Sequence, residues 1–375
     1  MTFVHKLNKE PTKFMYENVG GRIMKEDETV HFHGMEIGIY SLADLRPNPY
    51  TGETISAKQR IEEIIEAAKL ADEAGLDVFG LGEHHRFDYA LSSPSVVLSS
   101  ISQVTKRIKL TTATTVFNTI DPVRLYEDFA TLDLLSNGRA EIIAGRGAYL
   151  ESFPLFGYEV KNYDELFEEN IILFQKLNEE KNVTWEGNFR SPLQHADIVP
   201  RSFQDKLPLW VGVGSTPKSA ARAGRLGTGL VVVTFGKDYR VYKELVDIYR
   251  KEADKYGVSP TEIKVAVSGH TYLSHTTEQA KKEFFPYHSS YWRSMNADQK
   301  EIRNDFEQIT SEKGSLFVGS SQQIIEKILH QYELFGHQRF MAQIDIGGMH
   351  FKTVVENIER LATEVAPVIR RETKK

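Results

Sequence analysis

The run MEIGIYSL (residues 35–42), ISAKQRIEEIIEAAKLADEAG (55–75) and LDVFGLGEHH (76–85) decides the fold. Its outer pieces are short and apolar, as buried strands are. Between them Ile61, Ile64, Ile65, Ala68 and Ala71 recur at helical spacing, and Gly75 supplies the stop. A strand, a helix and a strand in that order form a crossover unit, and crossover units bring their strands together in parallel.

The same alternation extends outward along the chain. Helices are expected at 93–106, 121–136 and 163–180, with strands at 108–116 and 139–147. VTWEGNFRSPLQHADIVP (183–200) reads as a hairpin detour. Strands then fall at 208–214, 228–235, 262–274 and 339–347, with helices at 215–227, 237–257, 320–336 and 351–371. Eight strands alternating with eight helices predict an α/β fold: a single (β/α)8 TIM barrel with its active site at the C-terminal ends of the strands. A doubly wound open sheet is the alternative, although it usually has fewer strands and a switch point. The barrel domain is expected over 35–375, after an N-terminal extension over 1–34. Besides the hairpin at 183–200, a long insertion at 274–314 follows the seventh strand.

Composition narrows the function. Of 375 residues, 41% are hydrophobic and 26% charged, the balance of an ordinary soluble enzyme. The net charge is −6 and the basic residues are dispersed among acids, so nucleic acid is not an expected partner. The longest apolar stretch, GLVVVTF, is too short for a bilayer, and MTFVHKLNKEPTKF lacks the apolar core of a signal peptide. No membrane partner and a cytoplasmic location are the expectation. With no cysteine, the chain has no disulfide, thiolate metal site or cysteine nucleophile.

GEHHR (82–86) ends the second strand at the barrel mouth. Consecutive strand residues face opposite ways, so His84 and His85 do not readily share a metal, and no metal site is assigned. One imidazole at the mouth, oriented by Glu83 or Arg86, is suited to acid-base or hydrogen-bonding work; the alternative is a pair of histidines capping the strand. Gly80-x-Gly82, Gly145-x-Gly147 and Gly212-x-Gly214 each end a strand and let backbone approach something flat or bulky, but none continues into a dinucleotide fingerprint. In GVGSTPKSAARAGR, Ser215 or Thr216 can cap a helix whose first turn offers an anion site, with Lys218 and Arg222 close by; an ordinary capped helix is the other reading. Arg146 either pairs with a carboxylate such as Glu141 or holds a phosphate. FFPYHSSYW (284–292) is either a lid over the mouth or an extra helix packed on the barrel side. HFHG (31–34) is left unassigned.

From about Met35 to Arg370 the chain resembles the bacterial luciferase-like family of flavin-dependent monooxygenases. The likeness is carried by LGEHH, DPVRLYEDFATLDLLSNGRAEIIAGRG, Phe156-Gly157, GVGSTPKSAARAGRLG, LFVGSS and EVAPVIR. It implies FMN at the strand ends, with the phosphate near Arg146, Gly147, Ala148 and the helix start at Gly212, Gly214, Ser215, Thr216 and Lys218. It also implies a cis peptide between Ala113 and Thr114 against the flavin ring, a cofactor contact at Glu83, and His84 as the catalytic histidine that forms and protects the oxygenated flavin. The resemblance further implies O2 and a small organic molecule as substrates, and a homodimer that buries the helices after strands two and three. The absence of a nicotinamide fingerprint points to a separate flavin reductase as the source of reduced FMN. Two departures stand out: Asp164 replaces an arginine of bacterial luciferase that supports the phosphate, and Gly145 replaces its reactive cysteine, so light emission is not expected. A deazaflavin-dependent hydride-transfer enzyme and a non-catalytic flavin-binding protein are the rival readings.

Overall fold

The structure, a computed structural model, describes residues 34–236, 238–293 and 299–374, with only the backbone of residue 299. The expected extension over 1–34 therefore lies outside the described residues except for Gly34. So does most of HFHG.

The deciding run folds as its periodicity requires. Strand β1 (Glu36–Ser41) leads into helix α1 (Ala57–Glu73), and β2 (Val78–Leu81) follows. Ser56 caps α1 by accepting the Gln59 N–H, and Gly75 ends it with φ +80°. The chain continues through α2 (Pro94–Val104), β3 (Lys109–Thr112), β4 (Thr115–Val116), α3 (Pro122–Ser136) and β5 (Ile142–Gly145). Asp121 caps α3 at Val123 and Arg124, and Asn137 closes it in the left-handed region. After the short α4 (Ser152–Phe156) and the long α5 (Tyr163–Glu179) come β6 (Asn182–Trp185) and β7 (Leu193–Asp197), an antiparallel pair where the hairpin was expected. Next are β8 (Leu209–Val213), α6 (Pro217–Arg225), β9 (Gly229–Thr234), α7 (Tyr242–Lys255) and β10 (Val265–Ser274).

The insertion after β10 holds α8 (Thr277–Arg293) and α9 (Gln299–Ile309). Just beyond it lies β11 (Phe317–Ser320), an unanticipated strand that pairs in parallel with the end of β10. The chain then runs through α10 (Ser321–Phe335), β12 (Arg339–Gln343), α11 (Phe351–Arg360) and α12 (Ala366–Glu372), with one π turn at Leu361–Val365 where a single continuous helix was expected.

Barrel strands pair in the order β3-β2-β1-β12-β10-β9-β8-β5-β4, all in parallel. β3 and β4 are two segments of one barrel position. A parallel bridge between Leu110 and Ala140, with Thr112 Oγ1 bonded to both the N–H and the C=O of Ile143, brings β3 onto β5 and completes the ring. Tyr40, Val78, Ile143, Trp210, Val231, Ala266 and Met341 fill the barrel interior, while a larger apolar cluster lies between the strands and the surrounding helices.

Below that interior layer, Arg339 is buried against Glu36 at 2.8 Å and Glu141 at 2.6 Å, with its guanidinium 4.6 Å from the centre of the Trp210 ring. Lys109 joins Glu36 at 2.5 Å. Burial opposes ionisation of Glu36, but Arg339 and Lys109 outweigh it and hold the carboxyl near 2. Glu141 is therefore not the partner of Arg146: it belongs to the floor of the barrel and Arg146 to the mouth, five residues and roughly 16 Å further along an extended chain.

Candidate active site

Period-two alternation carries the interior residues up to the mouth. From Val78 it reaches Gly80 and Gly82, from Ile143 Gly145, from Trp210 Gly212 and Gly214, from Ala266 Ser268 and His270, and from Met341 Gln343. The mouth thus has a glycine side on β2, β5 and β8, and a side bearing larger groups on β9, β10 and β12.

The glycine side has an identifiable neighbour. The Ala113–Thr114 peptide is cis, and Thr114 leans across the strand ends. A Cβ on Gly145 would lie 1.9 Å from Thr114 Oγ1, and one on Gly212 would lie 3.0 Å from Thr114 Cγ2. At Gly80 an added Cβ would meet Met341 Cε at 3.0 Å and Ala113 Cβ at 3.2 Å. The group that these glycines admit is thus the Ala113–Thr114 segment of the chain itself. Gly214 has open space around it.

His84 stacks on Tyr89 with ring centroids 3.9 Å apart and planes 7° from parallel, and it meets the Tyr149 ring nearly edge-on at 5.6 Å. The two tyrosine hydroxyls lie 3.1 Å apart, and Arg46 Nη2 donates to Tyr89 at 3.2 Å. Arg46 pairs with Asp44 and Asp88 and lies 5.0 Å from the Tyr291 ring centre. His84 Nδ1 is buried without a hydrogen-bond partner. Burial, helped by Arg46 and Arg86, outweighs Asp88 and holds the imidazole down near 3, so it is neutral at ordinary pH.

Neither expected orienting group serves His84. Glu83 uses one carboxylate oxygen for His85 Nε2 at 2.9 Å and the other for the Val116 N–H at 3.0 Å, tying β2 to the segment after Thr114. Arg86 is taken by Asp88 and Glu151. His84 is instead held by aromatic faces. The sequence signals for them were weak: Tyr89 follows in FDY and Tyr149 ends AGRGAY.

A second cluster stands where β5 and β8 end. Arg146 Nη1 reaches Asp164 Oδ1 at 2.9 Å, Arg222 Nη2 reaches the same oxygen at 3.2 Å, and Lys218 Nζ reaches Oδ2 at 3.1 Å. The expected anion-holding cations do converge, and Asp164 lies among them. Gly147, with φ +83°, accepts from the Tyr163 hydroxyl at 3.0 Å, and Ala148, Ser215 and Thr216 are exposed. Thr216 occupies the N-cap of α6 without a side-chain cap bond; Pro217 brings no N–H and the Ser219 N–H turns back to the Thr216 carbonyl at 3.0 Å, so the Lys218 N–H is the first-turn donor left for an anion. Arg222 Nη1 and Ser219 Oγ are buried and unpartnered. Orphaned donors beside three cations fit a phosphate monoester.

Across the mouth, His270 is fully buried and neither ring nitrogen has a partner; the same is true of His288 Nδ1 and Gln343 Oε1. Phe235 (5.1 Å), Tyr291 (5.4 Å) and His288 (6.5 Å) surround the His270 ring. Helix α8 supplies Tyr287, His288, Tyr291 and Trp292, so FFPYHSSYW is helical and turns its aromatic face onto these strand ends. Sequence reading did not single out His270 or Gln343. Their inward parity on β10 and β12 is the signal that locates them. Among the described residues no three metal-ligating side chains converge, and no helix is long and apolar enough to cross a membrane.

The parallel eight-position barrel carries a histidine–tyrosine stack and a cationic cluster at one mouth, at the strand ends where barrel enzymes keep their active sites. The chain belongs to the luciferase-like monooxygenase family, whose family model matches residues 35–338. It is 24% identical over 336 residues to the oxygenase component of a flavin-dependent trigonelline monooxygenase of Acinetobacter baylyi, covering 83% of this chain and 90% of that one. The crystal structure of monooxygenase RslO1 from Streptomyces bottropensis superposes with a TM-score of 0.76 at 26% identity, covering 89% of this chain and 99% of that one. An F420-dependent secondary alcohol dehydrogenase shares the fold, with a TM-score of 0.68 at 19% identity over 90% and 99% of the two chains.

Proposed function

We propose that the chain is the oxygenase of a two-component flavin system, taking reduced FMN from a separate reductase and using O2 to oxidise a small organic substrate. The observation that carries this reading is that one barrel mouth joins the His84–Tyr89–Tyr149 stack to the Arg146–Lys218–Arg222 cluster. Arg146, Lys218 and Arg222, with Ser215 and Thr216 at the start of α6, would hold the phosphate. Gly147 and Ala148 would line its approach. Ala113, Thr114, Gly212 and Gly214 would border the ring, with Glu83 fixing the segment from behind. Reduced flavin, when bound, supplies the electrons that activate O2.

His84 is the catalytic residue of this proposal. Because it is neutral, it acts as a hydrogen-bonding imidazole at the reacting face and carries no standing positive charge. Helix α8 covers the opposite wall, where buried aromatic rings exclude water from the substrate space and His270 and Gln343 offer unused polar atoms. The exposed Val96 and Val104 of α2 and Leu134 and Leu135 of α3 support a homodimer through those helices.

FMN is favoured over a deazaflavin by the surroundings of the cationic cluster. Asp164, Lys218 and Arg222 border a cleft of about 410 Å3 that is also lined by Glu165, Glu168, Glu169 and Glu186, with hairpin residues Trp185 to Phe189 on its far side. A coenzyme that continues past its phosphate with an acidic tail meets like charge there, whereas FMN ends at the phosphate.

The test is an anaerobic titration with reduced FMN, followed by mixing with aerated buffer while absorbance is recorded, for the wild type and His84→Ala. The expected result is binding by both proteins, with flavin reoxidation in the wild type slower than in free solution. Substrate oxidation by His84→Ala should fall by roughly 10²–10⁴. Unchanged turnover in the variant, or binding of a deazaflavin without oxygen consumption, overturns the reading.

A further inference from the structure

We propose that Asp164 is a built-in competitor for the cofactor phosphate, lowering flavin affinity so that the cofactor exchanges with its supplier. This rests on the phosphate assignment above. Asp164 is in the first turn of α5, where a carboxylate is favoured by the helix dipole, and its backbone is fixed there. Its side chain is 38% exposed, whereas that of Arg222 is 3% exposed. Arg222, the most enclosed of the three cations, is therefore held in place by its packing, while the carboxylate has room to turn outward.

Charge and stoichiometry point the same way. The arrangement, in which Asp164 faces Arg146, Lys218 and Arg222 while Glu168 pairs with Arg222 at 3.3 Å and Arg225 at 2.7 Å, sets two carboxylates against four cations and leaves an excess of two positive charges. It also leaves Arg222 Nη1 and Ser219 Oγ unpartnered. A phosphate monoester dianion brings the missing charge and a third terminal oxygen. With Asp164 still in place, the two anions repel each other across the same guanidinium groups. Either Asp164 swings away, losing its ion pairs, or it stays and repels. Both routes cost binding free energy for a phosphorylated flavin and none for one without a phosphate.

The experiment compares oxidised FMN with riboflavin on the intact protein, using wild type, Asp164→Asn and Asp164→Ala, and follows flavin fluorescence for Kd and release rate. Thermal unfolding checks that the variants fold. FMN should bind roughly tenfold more tightly to both variants, since three partly exposed ion pairs of ordinary strength amount to about a decade in affinity. FMN release should slow in parallel, and riboflavin affinity should not move.

Weaker or unchanged FMN binding by the variants would mean that Asp164 aligns the cations, and this overturns the competition. Equal tightening for riboflavin overturns it as well. The wild-type protein separates the two levels of inference. A wild type that prefers FMN to riboflavin while the variants show no further gain refutes only the role of Asp164; no preference in any of the three proteins removes the phosphate assignment and the competition together.

Discussion

Lowering the pH from 7.5 to 5.5 should weaken the fold by about 5 kcal/mol through buried neutral histidines. His270, His288 and His337 are almost fully enclosed and His84 is stacked in the mouth, and burial holds them near 3, 4, 3 and 3, against 6.5 for the free side chain. Over this interval the unfolded chain gains a proton at each position and the folded chain does not, so stability is full above 6.5 and falls as the pH drops. Each histidine accounts for about 1.4 kcal/mol, roughly 5.5 kcal/mol in all. Asp345 works in the other direction. Burial raises it to about 6, so the folded state takes up its proton here and recovers just under about 1 kcal/mol. The net loss is a large part of a typical total of about 5–15 kcal/mol. Urea unfolding at the two pH values and fixed ionic strength, followed by far-UV circular dichroism and tryptophan fluorescence, measures it. His337→Gln, far from the mouth, should shrink the pH-dependent loss by roughly a quarter. A change below about 1 kcal/mol in the wild-type protein would refute the claim that these imidazoles stay neutral in the fold.

Two further outcomes follow from single contacts. Asp345→Asn should stabilise the protein at pH 8 by up to about 3 kcal/mol and change little at pH 4, because the unfolded carboxyl ionises from 3.8 upward while the folded one keeps its proton to about 6, so the penalty grows between those values and is complete above them; equal effects at both pH values in the same urea assay would contradict this. Gly145→Ala should lower stability by about 1–3 kcal/mol, since the new Cβ must displace Thr114. FMN titration of that variant should also show weakened binding, and retention of both full stability and full affinity would show that Thr114 moves aside freely.

Much of the barrel is legible along the chain because its information is local. Alternating apolar strands and amphipathic helices give the eight units, and Ser56, Asp121 and Gly75 act at the ends where their backbone preferences place them. β11 was missed because Phe317–Ser320 is four residues long and pairs only with the extended end of β10. The π turn at Leu361–Val365 also left no periodic mark, since the helix continues on both sides of it. Among candidate site residues, GEHHR and GVGSTPK were visible as motifs, and their place at strand ends followed from the period.

What the sequence by itself determined was the set of elements and the mouth at which His84, Arg146, Lys218 and Arg222 gather. Which partner each one takes was decided by the tertiary structure. Glu83 is one residue from His84 but bonds His85 and Val116; Glu141 is five residues from Arg146 but bonds Arg339 on the barrel floor; Asp164 collects cations from two other strand ends. The reason is geometric. Spacing within a strand fixes which face a side chain takes, while closing the ring determines which distant side chain faces it.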